Sequence, residues 1–398
     1  MLLPGCGGKP AWLNKNRMHS NIELASFAAR LRRAIVRGQG APEWGGGVVP
    51  AFDHLALELF ALQFEHNAPY RRFCEARRAR PDTVADWTGI PAVPTSAFKA
   101  WQLSCLPVEA RIAVFHSSGT TGQAPSRHFH NAASLALYEA SLLAWFKAHL
   151  PSAVGPCSLV VLTPPPARAP HSSLVHMFET LRRALSFADA PFVGQVAEDG
   201  GWSLDVDAAL ELMRKAIAGA QPVLLLGTAF SFVHLLDHLA DRGRRFELPA
   251  GSCAMETGGY KGRSRALPKA ALHALISERF GIQPDRIICE YGMSELSSQA
   301  YDRVIPPPRT ALGIPDFTQS AARVFRFPPW ARVQIISPET GAEAGAGETG
   351  LIRVFDLANA YSVLAVQTED LGIRRGDGFE LAGRAALAEP RGCSLMAV

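Results

Sequence analysis

Several short runs in this chain of 398 residues combine glycine with hydroxyl, carboxylate or aromatic side chains in patterns suited to holding a polyanion. The first is His116-Ser117-Ser118-Gly119-Thr120-Thr121-Gly122, directly after the apolar stretch 112–115. Its glycines let the backbone approach phosphate oxygens, its N–H groups can point at them, and its hydroxyls add neutral donors. It is not a Walker loop, because the Gly-x-x-x-x-Gly-Lys-Ser/Thr spacing is absent and no lysine follows Gly122. A solvent-exposed turn has the same composition, so the run alone leaves both readings open.

The second run, Glu290-Tyr291-Gly292-Met293-Ser294-Glu295, follows the apolar stretch 287–289. A tyrosine at a strand end can stack on a purine, a hydroxyl can meet a phosphate oxygen, and a carboxylate can hold Mg²⁺. The competing account is a strand-to-helix turn with Ser294 as N-cap and Glu295 favoured by the helix dipole. A third run, Met255-Glu256-Thr257-Gly258-Gly259-Tyr260-Lys261, precedes Thr368-Glu369-Asp370-Leu371-Gly372 and Gly383-Arg384. An aspartate accepts from both ribose hydroxyls, and a nearby arginine can meet phosphate.

The elements that must position these groups follow from periodicity. Apolar residues recur at helical spacing over 22–36, and a second helical stretch covers 52–80 with a break at Pro69. Short β-like runs alternating with helices follow, at 112–115, 158–163, 223–227, 252–255 and 287–289, which predicts a mostly parallel sheet in an α/β protein. The runs 332–337, 350–355, 363–368 and 378–381 are joined by Gly-, Pro- and Asp-rich turns and predict a small antiparallel or barrel-like subdomain. The expected organisation is an extension or disordered segment over 1–20, a helical region over 21–90, an α/β core over 91–320 and a β-rich subdomain over 321–398. Met18 opens a cleaner amphipathic stretch, so 1–17 is expected to play no structural part.

The order of these runs resembles the adenylate-forming superfamily, and within it the LuxE-type acyl-protein synthetases. Phe60, Gln63, Asn67, Tyr70, Phe73-Cys74, 90–99, the Thr-Gly-Gly-Tyr-Lys turn, 290–299 with Tyr301, and Arg391-Gly392-Cys393-Ser394 carry that resemblance over most of the chain. It implies the large adenylation domain of that superfamily: parallel sheets flanked by helices, plus a small β subdomain. By the same resemblance Ser117 to Gly122 would cradle the β- and γ-phosphates of ATP, and Gly258, Gly259, Tyr260, Tyr291 and Gly292 would surround the nucleotide. Ser294 would touch the α-phosphate, Glu295 would hold Mg²⁺, Asp370 would bind ribose, and Arg384 would bind ribose or phosphate. Cys393 would accept the acyl group from an acyl-adenylate. Larger relatives append a C-terminal domain with a bridging lysine, whereas here the last lysine is Lys269, so that domain is expected to be lacking. Arg384, Lys99 or Lys261, together with Mg²⁺, would then offset transition-state charge. Ser294 stands where threonine is more frequent and loses only a methyl.

Composition narrows the partners. The net charge of +4 comes from scattered arginines rather than one basic stripe, which argues against nucleic acid. No apolar run approaches the roughly 20 residues that span a bilayer. Seven dispersed cysteines without a Cys-x-x-Cys pair fit a reducing cytoplasm. His128 with His130, and His234 with His238, are read as core or surface histidines rather than metal ligands. The expected substrate is a carboxylic acid, by resemblance a fatty acid, with an acyl reductase or acyl carrier protein as the onward partner. The alternatives are a truncated phenylacetate-type acyl- or aryl-CoA ligase, and a silent scaffold, against which intact Glu295, Asp370 and Arg384 argue.

Overall fold

The computed structural model describes residues 11–38, 52–117, 124–149, 157–185, 190–198, 200–259, 265–304 and 323–385. Three helices open the chain: α1 (Ala11–Val36), α2 (Phe52–His66) and α3 (Ala68–Ala76). Pro69 lies in the first turn of α3 because a missing N–H costs nothing there, and Asn67 Oδ1 caps that helix by accepting from Tyr70 N at 3.2 Å. The helix α1 starts at Ala11, well before the periodic stretch, so residues 11–17 belong to an element rather than to a featureless extension.

Strand β1 (Val93–Pro94) and the short α4 (Ala97–Ala100) lead into a hairpin, β2 (Ala113–His116) and β3 (Arg127–His130). Then come α5 (Ala132–His149), β4 (Ser158–Val161), α6 (Ser173–Ala184) and a small ribbon, β5 (Gly194–Val196) with β6 (Trp202–Leu204). The α/β portion continues with α7 (Val206–Ala218), β7 (Val223–Thr228), α8 (Ala229–Asp241), β8 (Cys253–Thr257), α9 (Lys269–Phe280) and β9 (Ile287–Tyr291). Six further strands follow: β10 (Ala300–Val304), β11 (Arg323–Arg326), β12 (Ala331–Ile336), β13 (Thr349–Asp356), β14 (Ala365–Arg375) and β15 (Gly378–Arg384).

The strand runs expected from sequence form, within a residue or two at most ends, but their assembly differs. Strands β4, β7, β8 and β9 pair in parallel, β10 reverses beside β9, and β11, β15, β14, β13 and β12 continue the same sheet in antiparallel fashion. The C-terminal strands are therefore one wing of a mixed sheet, whose parallel part is β4, β7, β8 and β9, with β1 added in parallel beside β14. The physical reason is the tight return at 292–299, which lays β10 against β9 and hands its free edge to β11.

Helices cover both faces. One apolar cluster lies between α1–α3 and the antiparallel wing, with Phe27, Phe60, Phe98 and Phe355 fully buried. A second, with Leu210, Phe232 and Phe280, sits under α7–α9, and a third, with Phe115, Phe146 and Phe178, under α5 and α6. Gln63 and Asn67 tie the first layer to the wing. Gln63 Nε2 donates to Asn359 O and Ala360 O (3.0 and 3.1 Å), its Oε1 accepts from Leu364 N (2.7 Å), and Asn67 Nδ2 donates to Ser362 O (3.0 Å).

Candidate active site

The turn that carries Ser294 and Glu295 is not a helix start. Strand β9 passes through 292–299 straight into β10, so the N-cap account of Ser294 fails and the run needs another role. Glu295 is buried, and Ser294 Oγ donates to its Oε2 at 3.0 Å. The turn is held from below. Asp356 accepts from Ser297 N, Ser298 N and Ser298 Oγ at 2.7–2.9 Å, and Asn359 Nδ2 donates to Glu295 O at 3.0 Å. Burial raises the Asp356 carboxyl to about 6, opposed by these same hydrogen bonds.

The hairpin β2–β3 meets this turn from the other side. Ser117, which starts the Ser/Gly/Thr loop, accepts at Oγ from Ser126 N (3.0 Å). Ser126 Oγ lies 3.5 Å from Ser294 Oγ. His128 Nδ1 lies 2.7 Å from Ser294 O; a carbonyl only accepts, so the proton sits on Nδ1. Burial lowers His128 to about 4, which keeps the ring neutral. His128 is a buried histidine, as one of the two sequence readings had it, and its contact with Ser294 was signalled only by its place on the strand that follows the Ser/Gly/Thr run. Its neighbour His130 bonds Ser134 Oγ through Nδ1 (3.2 Å). Ser118, Gly119, Thr120, Thr121 and Gly122 lie outside the described residues, as do Tyr260, Lys261 and Cys393.

A second group forms where β14 and β15 pair. Asp370 and Arg384 are direct cross-strand partners, with Arg384 Nε 3.5 Å from Asp370 Oδ1. Tyr291 OH donates to Asp370 Oδ2 at 3.0 Å, joining the end of β9 to this pair. The Thr-x-Asp run is not a turn: it lies within β14, where Thr368 Oγ1 accepts from Asp370 N (3.1 Å) and donates to Ile352 O (2.8 Å). Arg384 also pairs with Glu369, while its buried Nη1 has no hydrogen-bond partner, a costly state that an anionic or hydroxyl ligand relieves. The Tyr291 ring packs on Phe325, Phe327 and Phe379.

Gly258 and Gly259 close β8 and are both buried; Gly259 has φ +104°, a conformation that excludes a side chain without strain. At Gly292 the backbone is not left-handed, but a Cβ there would lie 2.2 Å from Glu290 Oε1, so a side chain would have to displace that carboxyl. Lys99, half-buried on α4, sits against the hairpin: its carbonyl accepts from Arg127 Nη2 at 3.4 Å, and Arg127 is the cross-strand partner of His116. Two groups expected from sequence thus come together, Ser117 with Ser294 and Glu295, and Tyr291 with Asp370 and Arg384. A carboxylate with adjacent hydroxyls is a hard oxygen donor set, which fits Mg²⁺ held jointly with phosphates. Among the described residues no group of three or more His, Cys, Asp or Glu side chains could hold a metal without such help.

The whole arrangement matches known architecture. A 2-hydroxyisobutyryl-CoA ligase, solved in an open conformation with 2-HIB-AMP and CoA, superposes with TM-score 0.57 at 13% identity, covering 83% of this chain and 68% of that one. The same ligase in its postadenylation state gives TM-score 0.54 at 15% identity, covering 81% and 63%. The fold is that of the adenylate-forming ligases. Residues 49–397 match the family of acyl-protein synthetases, LuxE, and the chain belongs to that family. A curated relative, the long-chain-fatty-acid–luciferin-component ligase of Vibrio harveyi, is 22% identical over 357 residues, 86% of this chain and 85% of the relative. Among the described residues no helix is long and apolar enough to cross a membrane.

Proposed function

We propose that the protein condenses a carboxylic acid with ATP to an acyl-adenylate and passes the acyl group to Cys393 as a thioester. In the first step a carboxylate oxygen attacks the α-phosphorus and the bond to the bridging oxygen breaks, releasing pyrophosphate. In the second the Cys393 thiolate attacks the acyl carbon and AMP leaves. The observation that carries the reading is the junction of Ser117, Ser126, Ser294 and Glu295, because it gathers neutral donors suited to phosphate oxygens beside a carboxylate suited to Mg²⁺.

Asp370, oriented by Tyr291 OH, accepts from the ribose hydroxyls, and Arg384 meets the ribose or phosphate. Gly258, Gly259 and Tyr291 border the base. Glu295 with Ser294 Oγ would hold Mg²⁺, whose contribution is to neutralise phosphate charge. Lys99, Lys261 and Arg384 are the cations available to the transition state. The Vibrio harveyi relative supports a fatty acid as substrate and a luciferin-system component as the kind of partner that takes the acyl group. The described cysteines are all unpaired thiols, which supports a reducing compartment such as the cytoplasm.

The test is acid-dependent pyrophosphate release combined with the intact mass of the protein. The Cys393→Ser variant is expected to keep release and to lose the hydroxylamine-sensitive acyl adduct. An adduct that survives Cys393→Ser puts the acyl group on another residue and overturns the Cys393 assignment, and release without any adduct on the native protein favours acyl-CoA ligation instead.

A further inference from the structure

On the α5–α6 face of the sheet, beside the Ser294 turn, the side chains at the ends of the strands are polar although fully enclosed. The register sets them in one row: Thr257 on β8 is the partner of Glu290 on β9, and Glu290 is the partner of Tyr301 on β10. Across β7, whose Thr228 is the partner of Thr257, Thr163 lies two residues past the end of β4. In the opposite layer, on β3, His130 has its ring 4.2 Å from that of His128 and 6.2 Å from that of Tyr138. Glu290 acts on both Tyr138 and Tyr301, whose hydroxyls burial and this carboxylate hold in their neutral form.

Four of these groups hold buried atoms without a hydrogen-bond partner: Thr163 Oγ1, Thr257 Oγ1, Tyr301 OH and His130 Nε2. All four residues are at most 2% exposed. Buried polar atoms are nearly always satisfied, so three along one face of the sheet and a fourth in the layer opposite, where valine, phenylalanine or leucine would pack as well, call for a ligand that completes them. Below them the wall turns apolar with Phe115, Leu142 and Phe146. Glu290, raised to about 8 by burial and then by Glu256, is protonated at neutral pH and can donate as well as accept. Its carboxyl folds over Gly292, two residues before Ser294, which places the polar row near the carboxyl end of a bound acid.

We propose that the acid activated here carries a hydroxyl group within a few bonds of its carboxyl, recognised by Thr257, Glu290 and His130 with Tyr301 behind them. The inference rests on the adenylation reading. A hydroxyl suits this wall because it both donates and accepts, as do the threonine, tyrosine and protonated carboxyl groups around it. A site built to pair with a substrate hydroxyl discriminates strongly against the analogue lacking it, since the protein groups then stay unpaired.

The experiment measures acid-dependent pyrophosphate release by the full chain with matched pairs of acids, hydroxylated near the carboxyl and unsubstituted, over several lengths. The hydroxylated member of at least one pair is expected to show kcat/KM higher by about tenfold or more. Thr257→Val and His130→Leu should each erode that ratio, and Thr257→Ser should keep it, which separates recognition from loss of fold. Equal or better turnover of the unsubstituted acids overturns this inference while leaving adenylation standing. A preference untouched by both variants overturns it as well. No release with any acid overturns the adenylation reading and this inference with it.

Discussion

At the scale of single residues, Glu295 and His128 make distinguishable demands. Glu295→Gln should lower acid-dependent pyrophosphate release by about a hundredfold or more, because an amide carries no charge to hold a metal against phosphates. Full release by that variant would remove Glu295 from the site. Asp370→Ala should weaken ATP binding by roughly 1.5–3 kcal/mol, the value of a hydrogen bond to a charged acceptor, and calorimetric titration reads it directly. His128 is neutral when folded, at about 4, against an ordinary value of 6.5 when unfolded. Between those values the unfolded chain binds the extra proton, so the stability tied to this residue is present above pH 6.5 and is lost as pH falls toward 4. The stability advantage of the native protein over His128→Asn should therefore shrink on acidification by a few kcal/mol, at about 1.4 kcal/mol for each tenfold difference in proton affinity between the folded and unfolded chain. Denaturant melts at pH 7 and pH 5 check it; an unchanged difference would mean that the ring is not held neutral.

At the scale of elements, the turn that carries Glu295 depends on a helix far from it in sequence. Helix α2 offers Gln63, which satisfies two carbonyls and one N–H of the loop 359–364, and Asn359 from that loop donates to the backbone of Glu295. Gln63→Leu leaves two buried backbone groups, Ala360 O and Leu364 N, without this partner, while Asn359 O keeps its bond from Ser362 N. A loss of roughly 2 kcal/mol or more is expected, at about 1–3 kcal/mol for each orphaned group. Release of pyrophosphate should fall with it, because the Glu295 turn loses its support. Wild-type melting behaviour in Gln63→Leu would show that the loop holds itself. The hairpin β2–β3 plays the matching part on the other side, carrying Ser117 at one end and His128 against Ser294 at its centre.

At the scale of the whole molecule, one sheet runs from β4 to β12; Tyr291, Asp370 and Arg384 lie on its strands β9, β14 and β15, and Ser294 and Glu295 on the turn that joins β9 to β10. An eleven-stranded sheet with helices on both faces transmits loss of packing from one wing to the other. Unfolding followed by tryptophan fluorescence and by far-ultraviolet circular dichroism should give coincident transitions. Trp87, Trp145 and Trp330 sit toward the antiparallel wing, so fluorescence reports mainly on that part. Separated transitions would mean that the wing melts as a unit of its own.

The sequence by itself determined the local elements and the chemistry of the motifs. Alternating apolar runs and Pro or Gly punctuation placed nine of the fifteen described strands and missed β1, β3, β5, β6, β10 and β11; the hydroxyl-rich loop, the Tyr-Gly-x-Ser-Glu run, Asp370 and Arg384 were legible because their residue types suit phosphate, metal and ribose whatever the fold. Sequence also favoured a separate β subdomain and left a helix cap open as the competing account of Ser294, because strand pairing depends on hydrogen bonds between residues far apart and no local pattern records it. Tertiary structure alone decided that β10 returns against β9, that Asp370 lies opposite Arg384 and under Tyr291, and that His128 reaches Ser294. It alone showed unsatisfied polar atoms on one wall, since burial and partnership arise only when distant segments pack and exclude water.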